Sequence, residues 1–516
     1  MKRIIIVGAG LAGLTSVIKA SDMGADVCLI SPDYSERSQS VMAMGGINAA
    51  LDTKMQNDSP HQHFNDTVKS GCDINNKKAV ENLTSNAPKI VKWLEDKGVS
   101  FTRDENNNID LRYFGGQKKQ RTAYAGARTG KQIVSALVNE CRKKEVEGSV
   151  KRYVSLRFLE IIFSDEGECC GVKCVCENTC EIKTFPADAV IIATGGFNKL
   201  FGKTSGSVQN DGYATAKLFE QGVELANLEM IQYHPTTIKT PVKRMLITEA
   251  ARGEGGKLYT LRDGEKWYFM KEWYPEFGEL MPRDVVSQSI YKASQGGKNT
   301  VYLDLTHLDE ETVKVKLDEV YDVCMNYLNI NPVTTPIPVY PGVHYFMGGI
   351  KTDENHKTNI KGLYAAGECS CQYHGANRLG GNSLLGAICG GWIAGENAVL
   401  ERLNGKAIIK NSNYTKHNQD SKIENEISKI MNESMGIYRL ESQLKEALEN
   451  LNNIKTNDNY YKTLILLAKA CLMSAINRKE SRGAHQRIDY PDRDEDFEKI
   501  SCVKYDGEIN VSFERC

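Results

Sequence analysis

Five basic side chains, His234, Arg252, Arg283, His344 and Arg378, each stand in a short segment that also carries Gly, Thr or Pro. They lie downstream of Gly8-Ala9-Gly10-Leu11-Ala12-Gly13. Imidazole and guanidinium groups are what a small dianion needs when it leaves water, because each carboxylate then requires charge-assisted hydrogen bonds. The glycine pattern supplies a different chemistry. Its first Gly permits a tight turn, its second lets the backbone approach a pyrophosphate, and its third lets helix and strand pack closely. The helix that follows points its N-terminus at the phosphate charge. A nucleotide fold holding a redox cofactor beside such a cage reads as an oxidoreductase acting on a dicarboxylic acid.

The elements that must position these groups are legible in the same chain. Residues 4–30 predict strand, Gly-rich turn, helix and strand, the opening βαβ unit of a dinucleotide fold. The acidic ribose ligand expected after the second strand is missing, and Ser31, whose hydroxyl can still bond ribose, stands near its place. Two more strands end in glycine, at Ala193-Thr194-Gly195-Gly196 and Ala366-Gly367-Glu368. A long two-part cofactor needs several backbone approach points, which favours FAD over NAD. Helical patterning covers 76–98 and 129–145, and 151–186 alternates like an antiparallel meander with a turn at Asp165-Glu166-Gly167. The apolar runs 189–196 and 362–367 predict buried parallel strands, and the mixed segment between them an insertion into the nucleotide domain. From about 405 Gly becomes scarce. Ile423, Ile427, Ile430 and Met431 mark one helical face, a second helix is expected near 459–477, and the charged tail after Asp489 is expected to be irregular.

Bulk properties narrow the class. A chain of 516 residues exceeds one compact core. Its net charge of −1 gives no global pull toward nucleic acid or anionic lipid. Met1 leads directly into the strand-like run 2–7, without the separate apolar region of a signal peptide. The run Leu464 to Met473 is broken by Lys469 and too short to span a bilayer. These features predict a cytoplasmic protein with no direct membrane insertion and no nucleic-acid partner. The fifteen cysteines read as thiols; Cys174, Cys176 and Cys180 lack iron–sulfur spacing, so no metal is expected in this chain.

Beyond these readings, the chain resembles the flavoprotein subunits of succinate dehydrogenase and fumarate reductase, together with L-aspartate oxidase. The resemblance rests on ordered motifs: RSQSVMAMGGINAAL (37–51), QYHPTT (232–237), TEAARGEGG (248–256), MPRD (281–284), VHYFMGG (343–349), HGANRLGGNSLL (374–385) and the segment 478–485. It implies an α/β fold with a Rossmann-like FAD-binding domain at 1–233 and 345–404. An inserted α+β capping domain would occupy 234–344, a C-terminal helical domain 405–490 and a tail 491–516. It implies cofactor contacts from Gly8, Gly10, Leu11, Ala12, Gly13, Ser31, Ser38, Gln39, Ser40, Gly45 and Gly46. Ala193, Thr194, Gly195, Asp211, Glu368, Arg378, Ser383 and Leu384 would complete the FAD site.

By the same resemblance Arg378 and His344 hold one carboxylate of the substrate, while His234, Thr248 and Glu249 hold the other. Hydride passes between flavin N5 and an alkene carbon. Arg283 donates the proton, relayed through Glu249 and Arg252, although a free guanidinium has a pKa above about 12. Two departures carry weight. Covalently flavinylated members have a His within Arg-Ser-His-Thr; here the stretch is Arg37-Ser38-Gln39-Ser40, which implies non-covalent FAD, a lower flavin potential and a bias toward fumarate reduction. The rival, L-aspartate oxidase, carries an acidic residue before a Gly-Gly pair to bind the substrate ammonium. Here Phe114 precedes Gly115-Gly116. Even a favourable cation–π contact gives only about 2 kcal/mol, too little to desolvate an ammonium. Phe114 at the substrate therefore favours fumarate or succinate over aspartate. The stretch 367–374 is one residue shorter than the family pattern, which bears on local flavin contacts. A non-enzymatic FAD-binding assembly protein is the remaining alternative, opposed by retention of all five basic residues and Glu249. The family also admits an iron–sulfur electron-transfer subunit as a partner.

Overall fold

The computed structural model describes residues 1–126, 128–241, 243–410, 412 and 414–515. At its centre is a five-stranded sheet in the order Leu363–Ala365, Ala189–Ile192, Arg3–Val7, Asp26–Ser31, Val150–Val154. Every pairing in it is parallel. Side chains alternate across a strand, so a run such as Ile4-Ile5-Ile6-Val7 must be covered on both faces. Ile4, Ile6, Val27 and Leu29 pack with the helices Leu11–Asp22, Thr129–Glu147 and Asn382–Leu400. Ile5, Val7, Cys28 and Ile30 face a second core that includes Phe158, Val172 and the C-terminal helices.

The meander is confined to Arg157–Phe163, Cys169–Cys176 and Glu181–Pro186. Residues 151–154, expected to begin it, instead belong to Val150–Val154, the edge of the parallel sheet against Asp26–Ser31. The helix Thr129–Glu147 ends on Gly148 in the left-handed region (φ 84°), and the chain turns straight back onto the sheet. Alternation reads the same in either sheet, so periodicity alone could not separate them.

A six-stranded sheet is inserted, in the order Arg244–Leu246, Ile231–Lys239, Ile337–Phe346, Val301–Asp304, Lys257–Arg262, Glu265–Trp267. Its two long strands, Ile231–Lys239 and Ile337–Phe346, pair antiparallel with His234 opposite Gly342. The register shifts on either side of His234. Such irregularities re-aim side chains beside a site. These strands run unbroken through 233/234 and 344/345. His234 and His344 thus sit where one layer hands over to the next.

Helices Ser421–Ser434, Glu441–Asn453 and Asn459–Asn477 follow. Ile427 and Met431 are buried, with Ile423 and Ile430 packed against the same core. The middle helix has no counterpart in the sequence reading, because only Leu444, Ala447 and Leu451 mark its buried face. The tail is not irregular. Ile500–Tyr505 and Ile509–Glu514 form an antiparallel hairpin, and the first strand pairs with Leu225–Ala226. Asp506-Gly507 makes the turn, with Gly507 at φ 105°. Alternation around an Asp-Gly pair was the available signal, hidden by the charged composition.

Among the described residues one helix is long and apolar enough to cross a bilayer, and it is Asn382–Leu400 rather than the run Leu464 to Met473. It lies against Leu11–Asp22. A Cβ on Gly391 would fall 2.2 Å from the Ala12 carbonyl oxygen, and the Ser16 hydroxyl donates to the Gly391 carbonyl at 2.9 Å. Glycines here let two buried helices touch backbone to backbone.

Candidate active site

The parallel strands, the inserted sheet and the helix Arg283–Ala293 surround a cavity of about 370 Å³. Gly8, Gly10, Leu11 and Ala12 line one end. Gly8 has φ +112°, and a Cβ on it would lie 2.2 Å from the Ala193 carbonyl oxygen, so strand and turn approach only through glycine. Gly13 does not reach the cavity lining; its missing Cβ would strike the Gly8 carbonyl at 1.9 Å, which makes it the packing glycine of the turn. The helix Leu11–Asp22 starts here with no side-chain cap from Gly10 and presents the positive end of its dipole. Such a cradle fits a dinucleotide pyrophosphate.

The other expected cofactor residues, Ser31, Ser38, Gln39, Ser40, Gly45, Gly46, Ala193, Thr194, Gly195, Asp211, Glu368, Arg378, Ser383 and Leu384, all line the same cavity. Several are already engaged. Ser31 spends its hydroxyl on the Asp33 carbonyl at 2.6 Å. Asp33 itself lines this end, two residues beyond the position the sequence reading inspected, and its carboxylate accepts from Tyr34 N–H, Arg37 and Gln209. Asp211 is held by Arg157 at 2.5 Å and Tyr460 at 3.1 Å. Ser40 Oγ accepts from the Leu11 N–H at 3.3 Å, and Gln39 accepts from the Ser207 N–H. Burial pushes the Glu368 carboxyl up to about 7, well above the ordinary carboxylate range.

At the other end the basic residues converge. Arg283 donates from Nε at 2.9 Å and Nη2 at 2.7 Å to Glu249 Oε2. Arg252, which stands behind and does not line the cavity, donates from Nη2 to Glu249 Oε1 at 2.9 Å. The Gly115 N–H donates to the same oxygen at 3.1 Å. Burial opposes charge on Glu249, but the guanidiniums of Arg283 and Arg252 outweigh it and hold the carboxyl at about 2. Burial, reinforced by Arg283, lowers Arg378 to about 9, which leaves it charged at neutral pH.

His234 and His344 meet edge to face with ring centroids 5.1 Å apart. Burial first, then neighbouring cations, drives both well below the ordinary imidazole range, so both rings are neutral. His344 Nδ1 shares a hydrogen bond with Ser205 Oγ at 2.8 Å. His234 Nδ1 lies 3.2 Å from both the N–H and the carbonyl of Thr236. A backbone N–H can only donate, so the tautomer carrying its proton on Nε2 satisfies it. Among the described residues His234 Nε2 and Arg378 Nε are buried without a hydrogen-bond partner. Unmatched buried donors are costly, and a carboxylate is the group that would satisfy them. Thr248 and Phe114 complete the lining, the Phe114 ring resting against Gly45 and Gly380.

Sequence reasoning missed Gln232. Its Oε1 accepts from Arg283 Nη1 at 3.2 Å and from Arg378 Nη2 at 3.0 Å. Its Nε2 donates to Asn377 Oδ1 at 2.9 Å and the Arg378 carbonyl at 2.8 Å. Arg283 and Arg378 are therefore neighbours across one amide oxygen. Its place two residues before His234 was the only sequence signal.

Comparison with known proteins accords with this geometry. Residues 3–384 match the family model described as FAD binding domain, and residues 459–516 match that for the fumarate reductase flavoprotein C-terminus. The succinate dehydrogenase flavoprotein subunit of Bacillus subtilis is 38% identical over 96% of this chain and 92% of its own length. The fumarate reductase flavoprotein subunit of a Serratia species is 34% identical over 94% and 89%. Among solved structures, the quinol fumarate reductase FrdA of E. coli superposes with a TM-score of 0.89 at 31% identity, covering 100% of this chain and 97% of that one. With a nucleotide turn, an inserted sheet and a cationic cage in one cavity, the chain belongs to the succinate dehydrogenase/fumarate reductase flavoprotein family.

Proposed function

We propose that this protein interconverts fumarate and succinate, with FAD held non-covalently and fumarate reduction favoured. The observation that carries the reading is the convergence of Arg283 and Arg378 on the single Gln232 oxygen, beside two neutral imidazoles, of which His234 keeps an unpartnered Nε2. Arg378 and His344 bind one carboxylate. His234 Nε2 and Thr248 bind the other, and paired donors fix the diacid in one orientation. Gly8, Gly10 and the N-terminus of the helix Leu11–Asp22 would hold the FAD pyrophosphate, and the bound cofactor would be the source or acceptor of the hydride. Arg283 gives the proton to the adjacent carbon. Glu249, poised between Arg283 and Arg252, returns it, passing the proton onward because a carboxyl with a pKa of about 2 does not retain it.

Gln39, standing where covalently linked relatives carry His, has no nucleophilic nitrogen, since a carboxamide lone pair is delocalised. Acid precipitation should leave the yellow colour in the supernatant; colour in the pellet would refute non-covalent attachment. Reduced viologen with fumarate tests the activity, and absence of dye oxidation would leave the assembly-protein alternative. For L-aspartate oxidase the ammonium would need a carboxylate beside Gly115-Gly116, where both Glu249 oxygens are taken by arginines and Gly115, and Phe114 stands at the acidic position. Aspartate with oxygen or fumarate should give no turnover.

The division of labour follows: 1–233 and 345–404 bind FAD, 234–344 caps the substrate, and 405–490 braces the base. Co-purification would test an iron–sulfur subunit as electron donor.

A further inference from the structure

Two cations in the cavity wall have no part in the mechanism above. Lys243 and Arg244 line the cavity and are half-buried; Arg244 opens the short strand Arg244–Leu246, and Thr248 follows two residues after it. Arg157 is matched by Asp211 and Glu177 and Arg283 by Glu249, while Arg378 is the cage cation already assigned to the substrate. Among the described residues neither Lys243 nor Arg244 forms a salt bridge. Lys243 Nζ approaches only Met42 Sδ, at 3.3 Å, and Arg244 Nη1 donates to Thr237 Oγ1 at 3.5 Å. Burial pushes both below their usual range, a cost of the kind that an anion would remove.

The seat of Arg244 is built. A Cβ on Gly342 would lie 2.5 Å from Arg244 Cδ, so the arginine stem occupies the hollow that glycine leaves. Gly342 is the register partner of His234. The Arg244 N–H donates to the Thr204 carbonyl at 3.1 Å, and the next residue, Ser205, holds His344 Nδ1. One strand thus sets a cation without a carboxylate partner against the backbone positions that pair with His234 and precede Ser205, in the same cavity wall as the cage. Like-signed charge with low-dielectric walls concentrates counter-ions.

We propose that Lys243 and Arg244 form a charged approach to the cage, which captures the dicarboxylate dianion before it passes to His234, His344 and Arg378. This rests on the dicarboxylate reading of the cage. Neutral or singly charged acids would gain less from the approach, so it contributes to selection for diacids.

The test uses the FAD-loaded protein and succinate as the probe, following the change in flavin absorbance on binding at low and at physiological ionic strength. The double variant K243Q/R244Q should bind succinate about tenfold more weakly at low salt, with a flatter salt dependence. K243R/R244K should restore both, and Gly342→Ala, which displaces the arginine stem, should weaken binding as well. FAD content reports that each variant folds. Equal affinity and equal salt slope in K243Q/R244Q and the wild type would overturn the inference. So would a changed flavin midpoint potential with unchanged succinate affinity. A wild type that binds no succinate would overturn the proposed function and this inference with it.

Discussion

At Gln232 one amide oxygen faces two guanidiniums, at 3.2 and 3.0 Å, while its own amide nitrogen is anchored to Asn377 and the Arg378 backbone. Like charges so close would splay without a shared acceptor. Hydrogen bonds to charged groups contribute about 1.5–3 kcal/mol each, so Gln232→Leu should lower kcat/KM by about a hundredfold, and steady-state kinetics would reveal it. A wild-type value would mean that other contacts fix the arginines. Arg283→Ala should retain FAD yet reduce turnover by about 10²–10⁴, the usual contribution of a positioned proton donor. Unchanged turnover would remove Arg283 from the mechanism.

Among elements, the contact of Asn382–Leu400 with Leu11–Asp22 places the nucleotide turn. Gly391→Ala would force a methyl to within 2.2 Å of the Ala12 carbonyl oxygen and push the helices apart. Overpacking of this kind costs about 1–3 kcal/mol, and the variant should show a lower Tm and weaker FAD retention, each measurable on the purified protein. The C-terminal helices are tied to the rest by a buried ion network. Arg478 bridges Glu229 at 2.6 Å and Glu480 at 2.8 Å, and Glu480 also accepts from Arg482 at 2.7 Å. Removing one partner strands a buried charge, so Glu480→Ala should destabilise by about 3–5 kcal/mol in denaturant titration.

For the whole molecule, burial makes six histidines reluctant to charge: His63, His234, His344, His356, His374 and His485 all lie below the ordinary value. Their folded pKa values are depressed, so the unfolded chain takes up protons first. That stability is complete above about pH 6.5 and is lost as pH falls through the values shifted down to about 3 and 4. Four carboxyls work the other way. Burial raises Asp58, and raises Asp284, Glu319 and Glu368 to about 6, 8 and 7, so they bind protons in the folded state where the unfolded chain does not. Six outweigh four between pH 6.5 and 5. Thermal unfolding should shift to lower temperature on acidification across that window, by about 1.4 kcal/mol per pH unit for each net proton. A Tm that is flat or rising toward pH 5 would contradict it.

Local chemistry wrote much of this protein openly. The order of glycines in residues 8–13 prescribes a strand, a turn and a helix, and His234, Glu249, Arg283, His344 and Arg378 are the side chain types on which the diacid proposal rests. The glycine turn follows from short-range sterics, which need only neighbouring residues. The tail hairpin and the helix Glu441–Asn453 were fainter because partial burial leaves few apolar positions to betray a period. Only the tertiary structure decided that Gln232 joins Arg378 across 146 residues and that Arg244 rests in the hollow of Gly342. Hydrogen bonds and cavities are properties of approach in space, and no spacing along the chain encodes which distant groups will share an acceptor.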